Sequence, residues 1–171
     1  KKKLLQMFHQ SVSTVVIIGF FLFINNSFRI IMVRGNSMLP TFRNGQIILV
    51  DTRKSAWKFG DVIVFTPQHS STNNEFMIKR VIGTGGDVVA INYDSKSVSV
   101  NGNELDEPYV NHTSIAYSHE INVTGVVVFS IPAGSFFVMG DNRNRSLDSR
   151  NSEIGFISSE HILGKVIIDG R

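Results

Sequence analysis

Phe76-Met77-Ile78-Lys79-Arg80-Val81-Ile82 followed by Gly83-Thr84-Gly85-Gly86-Asp87 decides how the chain is read. A short apolar, partly β-branched run that stops at a glycine-rich turn has the pattern of a strand. Strand side chains alternate between faces, so Lys79 shares one face with Met77 and Val81. Arg80 shares the other with Ile78 and Ile82. The two cations therefore meet different surroundings, unless the strand is an edge with both cations in water.

The same signature recurs in both directions. Runs at 28–33, 46–50 and 62–65 precede it, and runs at 88–93, 97–100, 123–131, 136–139 and 163–168 follow. Turn residues separate them. Asp94-Ser95-Lys96 suits a hairpin tip, and Asn101-Gly102 marks a tight turn because both residues tolerate positive φ. No long amphipathic helix fits between the runs. Short helical turns are expected near 55–58 and 158–162, and exposed loops at 68–74 and 111–122. The sequence has no internal repeat and no long linker. The expected fold class is mainly β.

The amino end differs. Lys1-Lys2-Lys3 is followed by a tract without Asp, Glu, Lys or Arg from Leu4 to Phe28, most apolar over Val15-Val16-Ile17-Ile18-Gly19-Phe20-Phe21-Leu22-Phe23-Ile24. A helix over residues 4–24 would be about 32 Å long at ~1.5 Å per residue, enough for a bilayer core of ~30 Å. Asn25-Asn26-Ser27-Phe28 lacks the small residues of a leader cleavage site, which favours an uncleaved span. The tract beyond Thr14 is apolar all round, unlike a surface helix. By the positive-inside rule the lysines stay cytoplasmic and the body lies outside. The expected layout is a basic tail at 1–3, a transmembrane helix and exit at 4–27, and an extracytoplasmic β domain at 28–171.

Composition narrows the function classes. The 171 residues are 42% hydrophobic and 18% charged, which excludes a disordered chain. The absence of cysteine excludes disulfide scaffolds, thiol proteases, Fe–S clusters and Cys-type zinc sites. Without the three N-terminal lysines, the 17 basic residues fall to 14, equal to the 14 acidic ones. The body has no excess charge with which to meet nucleic-acid phosphates. None of the five histidines is spaced as a metal-ligand pair. There is no G-x-S-x-G elbow, and Gly83–Asp87 lacks the G-K-[ST] ending of a phosphate loop.

Three segments carry chemistry-capable groups. Gly35-Asn36-Ser37-Met38-Leu39-Pro40-Thr41 places a serine between a strand and a proline-bearing turn. Lys79 lies inside an apolar strand. Gly140-Asp141-Asn142-Arg143-Asn144-Arg145-Ser146-Leu147-Asp148-Ser149-Arg150 is dense in hydrogen-bonding groups of both charge signs. Taken singly, an ordinary turn, an edge strand and a solvated loop would account for them.

Together, and in this order behind an apolar span, they resemble the bacterial type I signal peptidases. Gly60-Asp61-Val62-Ile63-Val64-Phe65, Val100-Asn101-Gly102, Glu107-Pro108-Tyr109 and Ile131-Pro132-Ala133-Gly134 add to the likeness. The resemblance implies a signal-peptidase/LexA-like all-β catalytic domain. It also implies a membrane-bound serine endopeptidase that removes signal peptides from exported preproteins without metal or organic cofactor. Ser37 matches the nucleophile and Lys79 the general base. Ser146 matches a serine that orients the lysine, Asp148 and Arg150 a supporting ion pair, and Asp141 and Arg143 residues that hold the same loop. Val33, Met38 and Ile78 match positions lining pockets for small residues, typically Ala, one and three before the cut. Ser37 N–H is expected in the oxyanion hole. Gly35 stands where some members carry a hydroxyl, a form like that of Gram-positive enzymes. Asn144 and Arg145 depart from the common Asp-Asn. The partners implied are signal-peptide-bearing preproteins and the lipid bilayer. Ser37 follows the span by about a dozen residues, which keeps the site near the bilayer.

A free lysine titrates near 10.4, so a Lys79 base requires burial to lower its proton affinity. A self-cleaving repressor of the LexA type would need a DNA-binding domain and no span. The microsomal enzyme uses His where this chain has Lys79. A specialised or inactive pilus assembly factor remains an alternative, and the presence of both Ser37 and Lys79 favours activity.

Overall fold

The computed structural model describes residues 2–53, 56–67, 76–110 and 124–169. The expected loops at 68–74 and 111–122 lie outside them. A helix, α1 (Lys2–Ser27), leads without a break into β1 (Phe28–Met32). Then come β2 (Ile47–Asp51), β3 (Val62–Phe65), β4 (Met77–Thr84), β5 (Val88–Asn92), β6 (Ser97–Val100), β7 (Asn103–Glu104), β8 (Val126–Ser130), β9 (Ser135–Met139), β10 (Ile157–Ser158) and β11 (Ile162–Asp169). The described part of the chain is mainly β behind one N-terminal apolar helix.

Over His9–Ser27 the helix is long and apolar enough to cross a membrane. Its large side chains face outward: Val15 is 70% exposed and Ile17 67%. So much bare apolar surface is consistent with a transmembrane helix. The helix end is tied to the body where Thr52 N–H donates to the Ser27 carbonyl at 2.9 Å and Thr52 Oγ1 to the Asn26 carbonyl at 3.1 Å.

The strands form two antiparallel sheets. One runs β1-β2-β11-β3-β4-β9-β10 and the other β7-β6-β5-β8. Central β3 is buried at all four positions because both faces of the larger sheet are covered. On one face Val62 and Val64 pack with Val33, Met38, Phe42, Ile48, Val50 and Ile78. On the other, Ile63 and Phe65 pack with Val81, Phe136, Val138, Ile154, Ile157 and Ile162. A third cluster joins Ile82, Phe137 and Met139 of the larger sheet to Val89, Ile91 and Val98 of the smaller.

The expected hairpin and tight turn are present, with Lys96 at φ 61° and Asn101 at φ 53°. The helical turn expected at 158–162 is a 3-10 turn at Ser159–His161. The one expected near 55–58 is not helical over 56–58. There Lys58 N–H donates to Asp61 Oδ2 and Asp61 N–H to the Lys58 carbonyl, both at 3.1 Å, which closes a tight turn instead. β4 extends to Thr84 because a bulge after Val81 keeps Gly83 and Thr84 paired with Phe137 and Phe136.

Candidate active site

The turn after β1 is folded back at its base. Val33 N–H donates to Gln46 and Gly45 N–H to Val33, each at 2.8 Å, and Asn44 Oδ1 accepts from Gly35 N–H at 2.9 Å. Phe42 N–H reaches the Met38 carbonyl at 2.8 Å. Met38 and Phe42 point into the core, and this leaves Ser37 at the rim, partly exposed.

β4 brings Lys79 to it. Lys79 is 2% exposed, and its Nζ donates to Ser37 Oγ at 2.9 Å and to the Ile78 carbonyl at 2.9 Å. Among the described residues no carboxylate comes within ion-pair distance of this amine. Burial lowers its pKa from 10.5 to about 8. Asp148 and Asp141 pull the other way, and Arg150 adds to the lowering.

The loop 140–150 closes over the pair. Asn142 N–H donates to the Ser37 carbonyl and its Nδ2 to the Asn36 carbonyl, each at 3.0 Å. Gly140 passes so close that a Cβ there would run into Ser146 Oγ and the Ser37 carbonyl. Asp148 Oδ2 accepts from Gly140 N–H at 2.9 Å, and Arg150 pairs with Asp148 at 2.7 Å. Burial alone would raise the Asp148 carboxyl, but Arg150, Gly140 N–H and a hydrogen bond with Ser146 hold it below the usual range. Ser146 is buried between Gly140 and this carboxylate.

Asp141 and Arg143, expected to hold the loop, each fasten it to another element. Arg80 places two N–H groups on Asp141 at 2.8 and 2.6 Å, and Thr41 Oγ1 donates to the same carboxylate at 2.5 Å. Arg143 is fully buried and grips Glu107 through two bonds of 2.8 and 2.5 Å. The two cations of β4 thus part company as their alternation predicts: Arg80 has a carboxylate, Lys79 an apolar wall and a serine. Thr41, Arg80, Asn142, Glu107 and Tyr109 had no role from the sequence. The only signals were the Lys-Arg pair and the Glu-Pro-Tyr motif.

Val33, Met38 and Ile78 lie in one core cluster, at 3%, 1% and 8% exposure. A cavity of about 300 Å³ lies elsewhere, between Phe42, Val62 and the Asp61–Lys165 ion pair. Among the described residues no cluster of His, Asp and Glu is arranged to hold a metal ion.

The profile of signal peptidase, peptidase S26, matches residues 4–169. The chain is similar to signal peptidase I U of Bacillus subtilis (strain 168), with 34% identity over 141 residues, 78% of this chain and 70% of that protein. It is equally similar to signal peptidase IB of Staphylococcus aureus, with 34% identity over 148 residues, 78% of this chain and 73% of that one. A crystal structure of a signal peptidase I from Enterococcus faecalis V583 superposes with a TM-score of 0.50 and 30% identity, covering 67% of this chain and 98% of that one.

Proposed function

The chain belongs to the signal peptidase family, peptidase S26, and on that premise we propose that it is a membrane-held serine endopeptidase in which Ser37 attacks and Lys79 takes its proton. The family makes it a peptidase that removes signal peptides from preproteins. The observation that carries the finer reading is the 2.9 Å contact between Ser37 Oγ and a buried Lys79 amine.

The protonated amine donates to Ser37 Oγ and is idle. With a pKa of about 8, roughly a tenth of the molecules carry a neutral Lys79 at pH 7. In those the bond reverses, Ser37 O–H donates to Nζ, and the oxygen gains nucleophilic character. Attack on the scissile carbonyl gives a tetrahedral oxyanion, which the Ser37 N–H faces as a fixed donor. Lys79 then returns its proton to the departing amine, leaving an acyl-enzyme on Ser37. Water, deprotonated by Lys79, releases the signal peptide and restores the serine.

Asp141, Arg143, Ser146, Asp148 and Arg150 hold the geometry. Val33, Met38 and Ile78 form the floor on which small side chains of the preprotein rest. α1 holds the enzyme in the bilayer, with residues 1–3 cytoplasmic, 4–27 as span and exit, and 28–171 as the extracytoplasmic catalytic domain. Ile30, Met32 and Ile47, exposed at 76%, 58% and 56%, continue the apolar surface beyond the helix and support that placement.

The test is cleavage of a preprotein with an Ala-x-Ala site in liposomes, wild type beside Ser37→Ala. Specific cleavage by wild type alone is expected. Equal cleavage by both would overturn Ser37 as nucleophile.

A further inference from the structure

The segment 105–110 reaches the site from beside the smaller sheet, and no step of the proposed reaction uses it. Glu107 is buried and takes both prongs of Arg143. Tyr109 Oη donates to the same carboxylate at 2.8 Å. With its hydroxyl held there, the Tyr109 ring covers Arg80, whose guanidinium carbon lies 4.0 Å from the ring centroid. Arg80 spends its edges on Asp141 and on the Gly60 carbonyl, the latter at 2.8 Å. Asp141 in turn holds Thr41. Arg80 is the neighbour of Lys79, and Thr41 sits on the turn that carries Ser37.

We propose that Tyr109 is a positioning residue for the Ser37–Lys79 pair: its ring pins Arg80 across Asp141, and this fastens the strand bearing Lys79 to the turn bearing Ser37. The inference rests on the Ser37–Lys79 reading above. In-plane hydrogen bonds fix a guanidinium along its edges but leave it free to tilt, and an aromatic face against it stops the tilt. Burial and the adjacent Glu107 hold the Tyr109 hydroxyl above its ordinary pKa, so it remains a donor across the working range.

The charged groups acting on Lys79 are Asp148, Arg150 and Asp141 from the closing loop, and its chain neighbour Arg80 is paired with Asp141. Glu107, beside Tyr109, is already matched by Arg143, and Asp61, before β3, by Lys165. Asp141 is the carboxylate whose balance Tyr109 controls. If Arg80 tilts away, the Asp141 charge acts on Lys79 uncompensated, and the amine keeps its proton to higher pH.

The experiment uses the full chain in liposomes with the Ala-x-Ala preprotein, and follows rate against pH. It compares wild type with Tyr109→Phe, Tyr109→Leu and chains carrying di- or trifluorinated phenylalanine at 109. Tyr109→Phe keeps the ring but loses its tether to Glu107, and its acid limb is expected between those of wild type and Tyr109→Leu. Tyr109→Leu is expected to lower kcat with KM unchanged and to move the acid limb up by about half to one pH unit, a roughly three- to tenfold loss of rate at pH 7. Fluorination drains the ring face while nearly preserving its shape, so the limb should climb stepwise with fluorine number. An acid limb fixed at the wild-type position in Tyr109→Leu or across the fluorinated series would overturn the inference, even where the rate falls at every pH. If Tyr109→Leu fails to fold, the fluorinated series decides alone. A folded wild type that cleaves nothing would instead overturn the Ser37–Lys79 reading on which this one stands.

Discussion

In the proposed mechanism Lys79 costs the fold stability and in return keeps an amine ready to lose its proton. Its folded pKa of about 8 lies below the ordinary 10.5, so between these values the unfolded chain binds more protons and stability rises with pH. Below about 8 the cost of the buried charge is complete, and above about 10.5 it is gone. Lys79→Met should therefore abolish cleavage yet stabilise the fold at neutral pH by roughly 3 kcal/mol, seen as a higher Tm, with the gain fading in alkali. Thermal melts of wild type and variant at acidic and alkaline pH measure this, and a constant difference would contradict it. The rate of the wild type should climb about tenfold per pH unit below the Lys79 pKa and flatten above it, which a pH–rate profile on the preprotein reads directly. In the sequence, alternation alone separated Lys79 from Arg80. It could not say which of them had lost its counter-ion, because Asp141 is 61 residues from Arg80 and Glu107 is 36 from Arg143. Those partners are chosen by how strands and loops come together, which leaves no local trace.

Strands long enough to alternate were legible, and two-residue strands were not. β7 and β10 lack the length to show a period, and they exist because a neighbouring strand offers an open edge. At 55–58 the sequence suggests a helical turn, but the Asp61 carboxylate, which captures Lys58 N–H, acts from beyond that window. The closing loop was legible as a polar network but not as a tightly packed one. Gly140 has no space for a methyl group, since Ser146 Oγ and the Ser37 carbonyl occupy it. Gly140→Ala should push the nucleophile turn off the loop and cost about a hundredfold in kcat with a smaller effect on KM. Steady-state kinetics on the preprotein check this, and a wild-type kcat would show that the loop can yield. Asp148→Asn leaves the buried Arg150 without its charge partner and should cost about 3–5 kcal/mol, seen as a large drop in Tm. An unchanged Tm would mean that Arg150 finds compensation from the carbonyls of Arg143 and Ser146, to which it also donates.

At the scale of the whole molecule, the apolar runs imply a mainly β fold but not the order of strands. β11, the last strand, enters between β2 and β3, a placement decided by long-range pairing. The third core cluster is shared by both sheets, so neither can lose its packing alone. Calorimetry should accordingly give one cooperative transition for the β region, and Ile82→Ala should lower it without splitting it, by about 2–5 kcal/mol. Two separated peaks would show that the sheets are independent units. The junction of helix and sheet has a different kind of consequence. No linker separates α1 from β1, and Thr52 clasps the last carbonyls of the helix. Ser37 is ten residues past Ser27, a reach of no more than about 36 Å of extended chain, and less once folded. With α1 in the bilayer as proposed, an enzyme moored so short would work as a gauge of altitude. An Ala-x-Ala stretch in a protein already free in the open compartment would then lie above its ceiling. Under that placement only peptide bonds still hanging at the waterline of the bilayer would come under the blade, and the mooring would spare exported proteins from the peptidase that released them.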